Sequence, residues 1–383
     1  MRALTPIVVI APDSFKGSIN APLASSAITE GLRRVWPDAD LRLCPMADGG
    51  EGTLDAVLSC GGERLGTGVT GASGESVEAG YGIVDGGKTA IIEAAQIVGL
   101  TDPVGTAADV EQRSSRGVGE LIVKLLDRGL REFMIGLGGT STNDGGAGML
   151  AALGVRLLDT SGREVSATPQ GLHTLALVDV DRLDPRLLQT TITIMSDVDN
   201  VLAGHRGATA IFGPQKGVRA ERVGELDARL ARFAELIETT LGKRASDRPG
   251  AGAAGGLGFA LQLIGGEMRS GAEVVADLIG LDAALRGADW ALTGEGRTDA
   301  QTLLGKTPLV VARRAASLGV PSTLISGGID RIAMPDLSRH FAGCFSVTFG
   351  PIALEQCVEQ AAGLLSDRAQ QLALLFDAVR PGR

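Results

Sequence analysis

Tyrosine occurs once, tryptophan twice and histidine three times in 383 residues, and no basic run appears anywhere. A base-stacking platform needs aromatic faces set in a positive stripe, so a nucleic-acid partner is not expected. The formal net charge of −9 points the same way. It does not exclude an anionic substrate, because a local site can be basic on an acidic protein. No apolar stretch approaches the roughly 18 residues that a membrane span needs. The N-terminal run Ile7 to Ala11 is too short for a signal-peptide core. The expectation is a cytoplasmic protein without a membrane partner. Cys44, Cys60, Cys344 and Cys357 lack CxxC spacing, which leaves zinc and thioredoxin-like chemistry unsupported and suits a reducing compartment. With only His173, His205 and His340, and no GxSxG, a serine triad lacks its parts.

What the chain has in excess is glycine, 55 residues without a collagen period. The glycines cluster at the ends of apolar runs, the mark of tight β–α junctions. The length exceeds one ordinary core, so two domains are expected. Ile7 to Ala11 is β-branched and continuous, as in a strand buried on both faces. Ala21 to Val35 has helical periodicity, Leu41 and Leu43 suggest a second strand, and Leu54 to Leu58 a helix. Short strands at Arg64 to Thr70, Ser76 to Val84 and Lys88 to Glu93, divided by glycine turns, then read as hairpins. From about Ala288 the β–α alternation resumes: strands at Trp290 to Leu292, Ser322 to Ile325 and Cys344 to Val347, helices at Leu309 to Leu318 and Ile352 to Ala378. The predicted fold class is α/β with two α/β domains. Residues 1–66 and 287–383 form a discontinuous, doubly wound (Rossmann- or flavodoxin-like) domain, into which a mixed α/β domain of residues 67–286 is inserted.

Five clusters of glycine with polar residues fall at inferred strand ends. GLGGTSTNDGGAG, residues 136–148, runs from a short apolar strand into a helix start. Gly138, Gly139, Gly145 and Gly146 permit close backbone approach, and Thr140, Ser141 and Thr142 add hydroxyls, which suits a phosphate cradle. The alternative is a tight capped loop. In Asp13-Ser14-Phe15-Lys16-Gly17-Ser18, Lys16 suits an anion, or is a surface lysine ahead of a Ser18 or Asn20 N-cap. Asp48-Gly49-Gly50-Glu51-Gly52 offers carboxylates to substrate hydroxyls, or is a turn. Asp197 and Asp199 are spaced like Mg²⁺ ligands or a base and its neighbour. Thr293 to Asp299 carries Glu295, Arg297 and Asp299, with Lys306 beyond, and Lys216 lies on another loop. Ala300 to Thr307 loosely spells a P-loop and Gly250 to Gly255 a dinucleotide fingerprint, but neither directly follows a strand. Anion-binding loops with carboxylates for metal or base work suit phosphoryl transfer, where positioning and charge neutralisation dominate.

PDSFKGS, MADGGEGT, GLGGTSTNDGGAGML, SDVDN, FGPQKG, GAAGGLG and TGEGRTDAQTLLGKTP occur in that order over essentially the whole chain. In this the sequence resembles the bacterial type I glycerate kinases. It departs from them at Ser196 and Val201, where the family commonly has Cys and Pro, and in the segment Glu111 to Gly119. The resemblance implies ATP-dependent, Mg²⁺-assisted phosphorylation of D-glycerate, usually to 2-phosphoglycerate, by two α/β domains; the sequence leaves monomer and homodimer both open. The roles expected on that basis are as follows. Gly138 to Gly146, including Asn143 and Asp144, would hold ATP phosphates. Lys16 would neutralise the transferred phosphoryl group. Asp197 would be base or metal ligand beside Asp199, with Glu295 and Asp299 as rivals. Asp13, Ser14, Asp48, Gly49, Gly50, Glu51 and Arg297 would hold glycerate. A nicotinamide-dependent hydroxy-acid dehydrogenase would need a fingerprint directly after a strand. A non-catalytic sugar-acid-binding protein would not need so many phosphate-type loops.

Overall fold

The computed structural model describes residues 5–379. Its strands are β1 (Ile7–Pro12), β2 (Asp40–Leu43), β3 (Glu63–Thr70), β4 (Ser76–Val84), β5 (Thr89–Glu93), β6 (Glu132–Gly136), β7 (Arg156–Leu158), β8 (Leu177–Asp179), β9 (Thr191–Met195), β10 (Glu267–Arg269), β11 (Trp290–Thr298), β12 (Ser322–Ile329) and β13 (Gly343–Ser346). The chain divides into two compact units. Of the described residues, the first comprises 5–48, 55–61 and 272–379; the second comprises 49–54 and 62–271. The expected boundaries at 66/67 and 286/287 therefore shift. The whole of β3 pairs with β4, so the second unit begins before Glu63. The helix Gly271–Leu278 joins the first unit through Arg314, which donates to Glu273 and Asp277.

The first unit is a sheet in the order β13-β12-β11-β1-β2, parallel at every pairing. Numbered within the unit this is 5-4-3-1-2, the doubly wound flavodoxin-like order, with its switch point between β1 and β11. Val8 to Ala11, Ala291 and Leu292 are fully buried, as a parallel sheet covered on both faces requires. One covering layer is the helix Ala21–Arg33 packed with Ala361–Val379, over a core of Val8, Ile10, Leu292, Ile325, Ile28 and Ala369. Within it Trp290 stacks on Phe376 at 4.8 Å. Two expectations change here. β11 does not stop at Leu292 but runs to Thr298, because β12 continues beside it as far as Ile329. The single helix expected over Ile352 to Ala378 is two, Leu354–Glu359 and Ala361–Val379, separated at Gln360.

The second unit holds a mixed sheet in the order β10-β9-β6-β5-β4-β3, parallel from β10 to β5 and antiparallel across β4 and β3. β7 and β8 form a separate antiparallel pair. The helices Arg116–Asp127, Val223–Leu241 and Leu257–Leu263 share its core, where Phe233 meets Phe259 edge to face. No helix among the described residues is long and apolar enough to cross a membrane.

Gly31 sets the spacing of the two covering helices in the first unit. A Cβ there would lie 2.0 Å from the Ser366 carbonyl oxygen. Gly31→Ala is therefore expected to lower stability by about 1–3 kcal/mol, since overpacking outweighs the gain in helix propensity. Denaturant unfolding followed by the fluorescence of Trp36 and Trp290, both in this core, checks this; an unchanged or raised midpoint would contradict the packing account.

Candidate active site

Beyond Pro12 the chain cannot continue as strand, because it turns across the end of β11. The Asp13 amide still donates to the Gly294 carbonyl at 2.8 Å, and Phe15 then closes a tight turn by donating to Ile19 at 2.9 Å. Gly17 takes φ +77° within it. Phe15 is buried, and Gly296 makes room for the crossing. A Cβ on Gly296 would come within 3.1 to 3.4 Å of the Phe15 and Lys16 backbone. Asn20 ends the turn and caps the helix Ala21–Arg33 by accepting from the Leu23 amide. The turn presents Asp13, Ser14 and Lys16 at the carboxyl edge of the sheet, beside the switch point where open α/β sheets bind ligands.

The extension of β11 brings Glu295, Arg297 and Asp299 to the same edge. Glu295 is buried and its Oε1 accepts from the Thr298 hydroxyl at 2.8 Å and the Thr302 hydroxyl at 2.6 Å. Asp299 caps the turn Ala300–Leu304 through the Gln301 amide. Lys306 then sits at the start of the helix Thr307–Ser317, whose N-terminal dipole adds positive potential. A cavity of about 960 Å³, wholly within the first unit, is lined by Asp13, Ser14, Lys16, Asp48, Glu295, Arg297, Asp299 and Lys306. Gly327, Gly328, Asp330 and Arg331 complete its edge, and the helix Leu354–Glu359 adds an apolar wall.

Acids outnumber exposed cations here, and the electrostatics follow. Burial, then the nearby Asp48, push the Asp13 carboxyl from 3.8 up to about 7. The Thr307 hydroxyl, the Ser14 amide at 2.6 Å and Lys16 oppose the rise. Burial also raises the Glu295 carboxyl against its two threonine donors. Lys16, largely exposed and 3.6 Å from Asp48, has its ammonium strengthened chiefly by that carboxylate. Arg297 is exposed and lies 4.0 Å from Asp299.

The remaining expected site residues belong to the second unit. Gly49 and Gly50 are backbone packing positions: a Cβ on Gly136 or Gly138 would strike them at 2.5 Å. Glu51 is exposed. Asp197 and Asp199 follow β9 and are exposed; Asp197 accepts from the Gly271 amide and Asp199 pairs with Arg206 at 3.4 Å. In the glycine loop, Thr140, Ser141, Thr142, Asn143 and Asp144 are buried, and only Gly138 and Gly139 reach solvent. Several of its amides already have acceptors: Gly138 on Gly49, Ser141 on Val98, Gly145 on Gly255, and Gly146 and Gly148 on the Asp144 carboxylate; the buried Thr142 hydroxyl and Asn143 side-chain oxygen have no partner among the described residues. Asp144 also accepts from the Ser115 amide and hydroxyl, and burial raises its carboxyl. Beneath the loop Lys216 donates to the Thr142 carbonyl at 2.8 Å, with its ammonium lowered by burial to about 7.

Reasoning from the sequence left out Gly327, Gly328, Asp330 and Arg331 and the apolar wall. The signal for the first four was available, since glycine followed by an acid after an apolar run also occurs at Thr293 to Asp299. The wall had none, because a helix facing a cavity has the same periodicity as one facing a core.

Residues 8–377 match the family model described as Glycerate kinase family. The chain is 42% identical over 373 residues to a glycerate kinase of Bacillus subtilis (strain 168), covering 96% of each protein. It is 44% identical over 325 residues to a protein named glycerate 2-kinase of Escherichia coli (strain K12), covering 84% of this chain and 85% of that one. A crystal structure from Salmonella typhimurium LT2, named as a glycerate kinase 2, superposes with TM-score 0.85 at 41% identity over 98% of this chain and 99% of that one.

Asp144 is the acceptor on which the glycine loop closes. Asp144→Ala is expected to cost the second unit about 3–5 kcal/mol, since a buried donor left without its charged acceptor is penalised in full. Hydrogen exchange of the Ser115, Gly146 and Gly148 amides should accelerate in step; a loss below 1 kcal/mol would show that water replaces the carboxylate.

Proposed function

The chain belongs to the glycerate kinase family, and on that premise we propose that it transfers the γ-phosphoryl group of ATP to the 2-hydroxyl of D-glycerate in the cavity at the β1–β11 edge. The family supplies the reaction type, a phosphotransferase with an alcohol acceptor. The name of the Escherichia coli relative supports the 2-hydroxyl. The observation that carries the placement is the buried Asp13 carboxyl, raised to about 7 beside Lys16 and Asp48. A base that is half ionised near neutral pH suits removal of a hydroxyl proton.

In this reading Asp13 accepts the proton of the attacking hydroxyl, and Asp48 and Ser14 orient glycerate. Arg297 takes the substrate carboxylate, which a guanidinium grips bidentately. Lys16 and Lys306 neutralise the charge on the transferred group. In this reading the base is Asp13, the buried carboxyl of the cavity, with Asp197 of the second unit as its rival.

Magnesium takes oxygen donors, usually one or two carboxylates plus phosphate oxygens. Glu295 and Asp299 fit that donor set, since both threonine bonds to Glu295 fall on Oε1 alone. Among the described residues no group of three or more His, Cys, Asp or Glu is arranged around a metal site. When bound, Mg²⁺ offsets phosphate charge. Asp197 and Asp199 are the rival ligands. The glycine loop is assigned to holding the second unit in shape, with only Gly138 and Gly139 accessible to phosphate.

Purified protein with D-glycerate, ATP and Mg²⁺ should release ADP and give 2-phosphoglycerate by NMR. No ADP above the glycerate-free blank would end the kinase reading, and 3-phosphoglycerate would end the regiochemistry. In the wild type kcat/KM should rise with pH through a limb near 7, as Asp13 ionises. Asp13→Asn should remove that limb and lower kcat about 10²–10⁴-fold; a near-normal kcat would return the role to Asp197. Stability should change in the opposite sense. A carboxyl whose folded value lies above its unfolded value favours folding below about 4 and loses that contribution as pH rises through about 7. Asp13→Asn is therefore expected to be more stable than wild type at pH 8, by on the order of 1–4 kcal/mol, with the advantage gone at pH 4. For the metal, Glu295→Gln should raise the Mg²⁺ concentration for half-maximal rate at least tenfold; that shift appearing in Asp197→Asn instead would transfer the ligand role.

A further inference from the structure

The cavity is larger and less polar than glycerate requires. At about 960 Å³ it lies at the upper end of the roughly 300–1,000 Å³ range of small-molecule sites. Glycerate has three carbons, each bearing oxygen, and offers nothing to an apolar surface. Yet one side of the cavity is lined by Val347, Leu354, Cys357, Val358, Ala361 and Leu365. Val347, Ala361 and Leu365 are buried, whereas Leu354 is 73% and Val358 38% exposed. Two aliphatic side chains thus stand open to solvent on the rim of a charged pocket. The wall is tied to the other side, since the Ser18 hydroxyl donates to the Val358 carbonyl at 3.0 Å. Lys16 and Lys306 occupy the polar side of the same cavity. A ligand that fits both sides has a flat apolar body at one end and a polyanion at the other.

We propose that the wall formed by Leu354, Cys357 and Val358 seats the nucleobase of the phosphoryl donor, with its phosphates running towards Lys16 and Lys306. The inference rests on the kinase reading above and specifies which part of the cavity each substrate takes. Aliphatic side chains cover the faces of the ring and exclude water from it. The short helix Leu354–Glu359, separated from the helix that follows at Gln360, is the element that supplies them.

Cys357 is a native reporter, a free and partly exposed thiol on this wall, and Cys60, free and exposed, is an internal control. In the intact protein, alkylation read peptide by peptide should slow at Cys357 at least tenfold when ADP is present. Saturating D-glycerate, or inorganic tripolyphosphate, which has phosphates but no base, should slow it less than twofold, and Cys60 should not respond to any of the three. Leu354→Asp alters an exposed position and should fold; by calorimetry it should weaken ADP binding at least tenfold and leave D-glycerate binding within twofold. If ADP binds the wild type but leaves Cys357 open and Leu354→Asp neutral, the base sits elsewhere and the kinase reading survives. Absence of any ADP binding to the wild type would overturn the kinase reading, and this inference with it.

Discussion

The parallel pairing of β1 with β11 brings together strands whose bonded residues, such as Ala11 and Thr293, lie 282 positions apart in sequence. All the groups of the cavity take their position from that pairing. The two strands are buried on both faces, so their register is held by side-chain packing as well as by the ladder, and a one-residue slip would exchange their faces. The Thr293 hydroxyl adds a bond to the Ala11 carbonyl at 2.8 Å. Because β2 and β12 flank the pair on opposite sides, the chain leaves β1 and β11 in opposite directions. The gap this opens at their carboxyl ends is the general ligand crevice of open α/β sheets. Asp13 and Glu295 face it because each stands one step beyond Pro12 and Gly294, the last residues that pair β1 with β11.

The same pairing creates the electrostatic tension of the pocket. Five carboxylates line it, and Asp13 and Glu295 are too buried to be solvated as ions. Both are pushed up, and Asp13 reaches about 7. Such a group lowers stability at the pH where it is useful, which is the usual compromise of a tuned acid or base. The compensation is local. Threonines hold Glu295, an amide holds Asp13, and Lys16 leans on Asp48.

In the second unit, glycine serves packing more than ligand approach. The loop 136–148 has the composition of a phosphate cradle, but its backbone lies against other backbone. Gly136 and Gly138 meet Gly49 and Gly50, and a Cβ on Gly256 would come within 2.4 Å of Gly145. The Asp144 carboxyl sits inside the turn and accepts from backbone amides there. An internal carboxylate and an external phosphate make the same demand on a glycine loop, so composition alone does not distinguish them.

Much of the fold was legible in the chain itself, because it depends on local patterns. Ser76 to Val84 lies between glycine turns and forms a strand with those bounds. The two-part first domain followed from the return of the β–α rhythm near Ala288. Seven of the expected site residues, Asp13, Ser14, Lys16, Asp48, Glu295, Arg297 and Asp299, do line one cavity, since strand-end chemistry is itself a sequence pattern. The tertiary structure decided what depends on distance in three dimensions. It set Asp13 deep enough to titrate near 7, extended β11 through Thr298 by pairing it with β12, and turned the helix Leu354–Glu359 towards the cavity. Burial, pairing and neighbouring charge are sums over residues remote in the chain, and no window of sequence contains them.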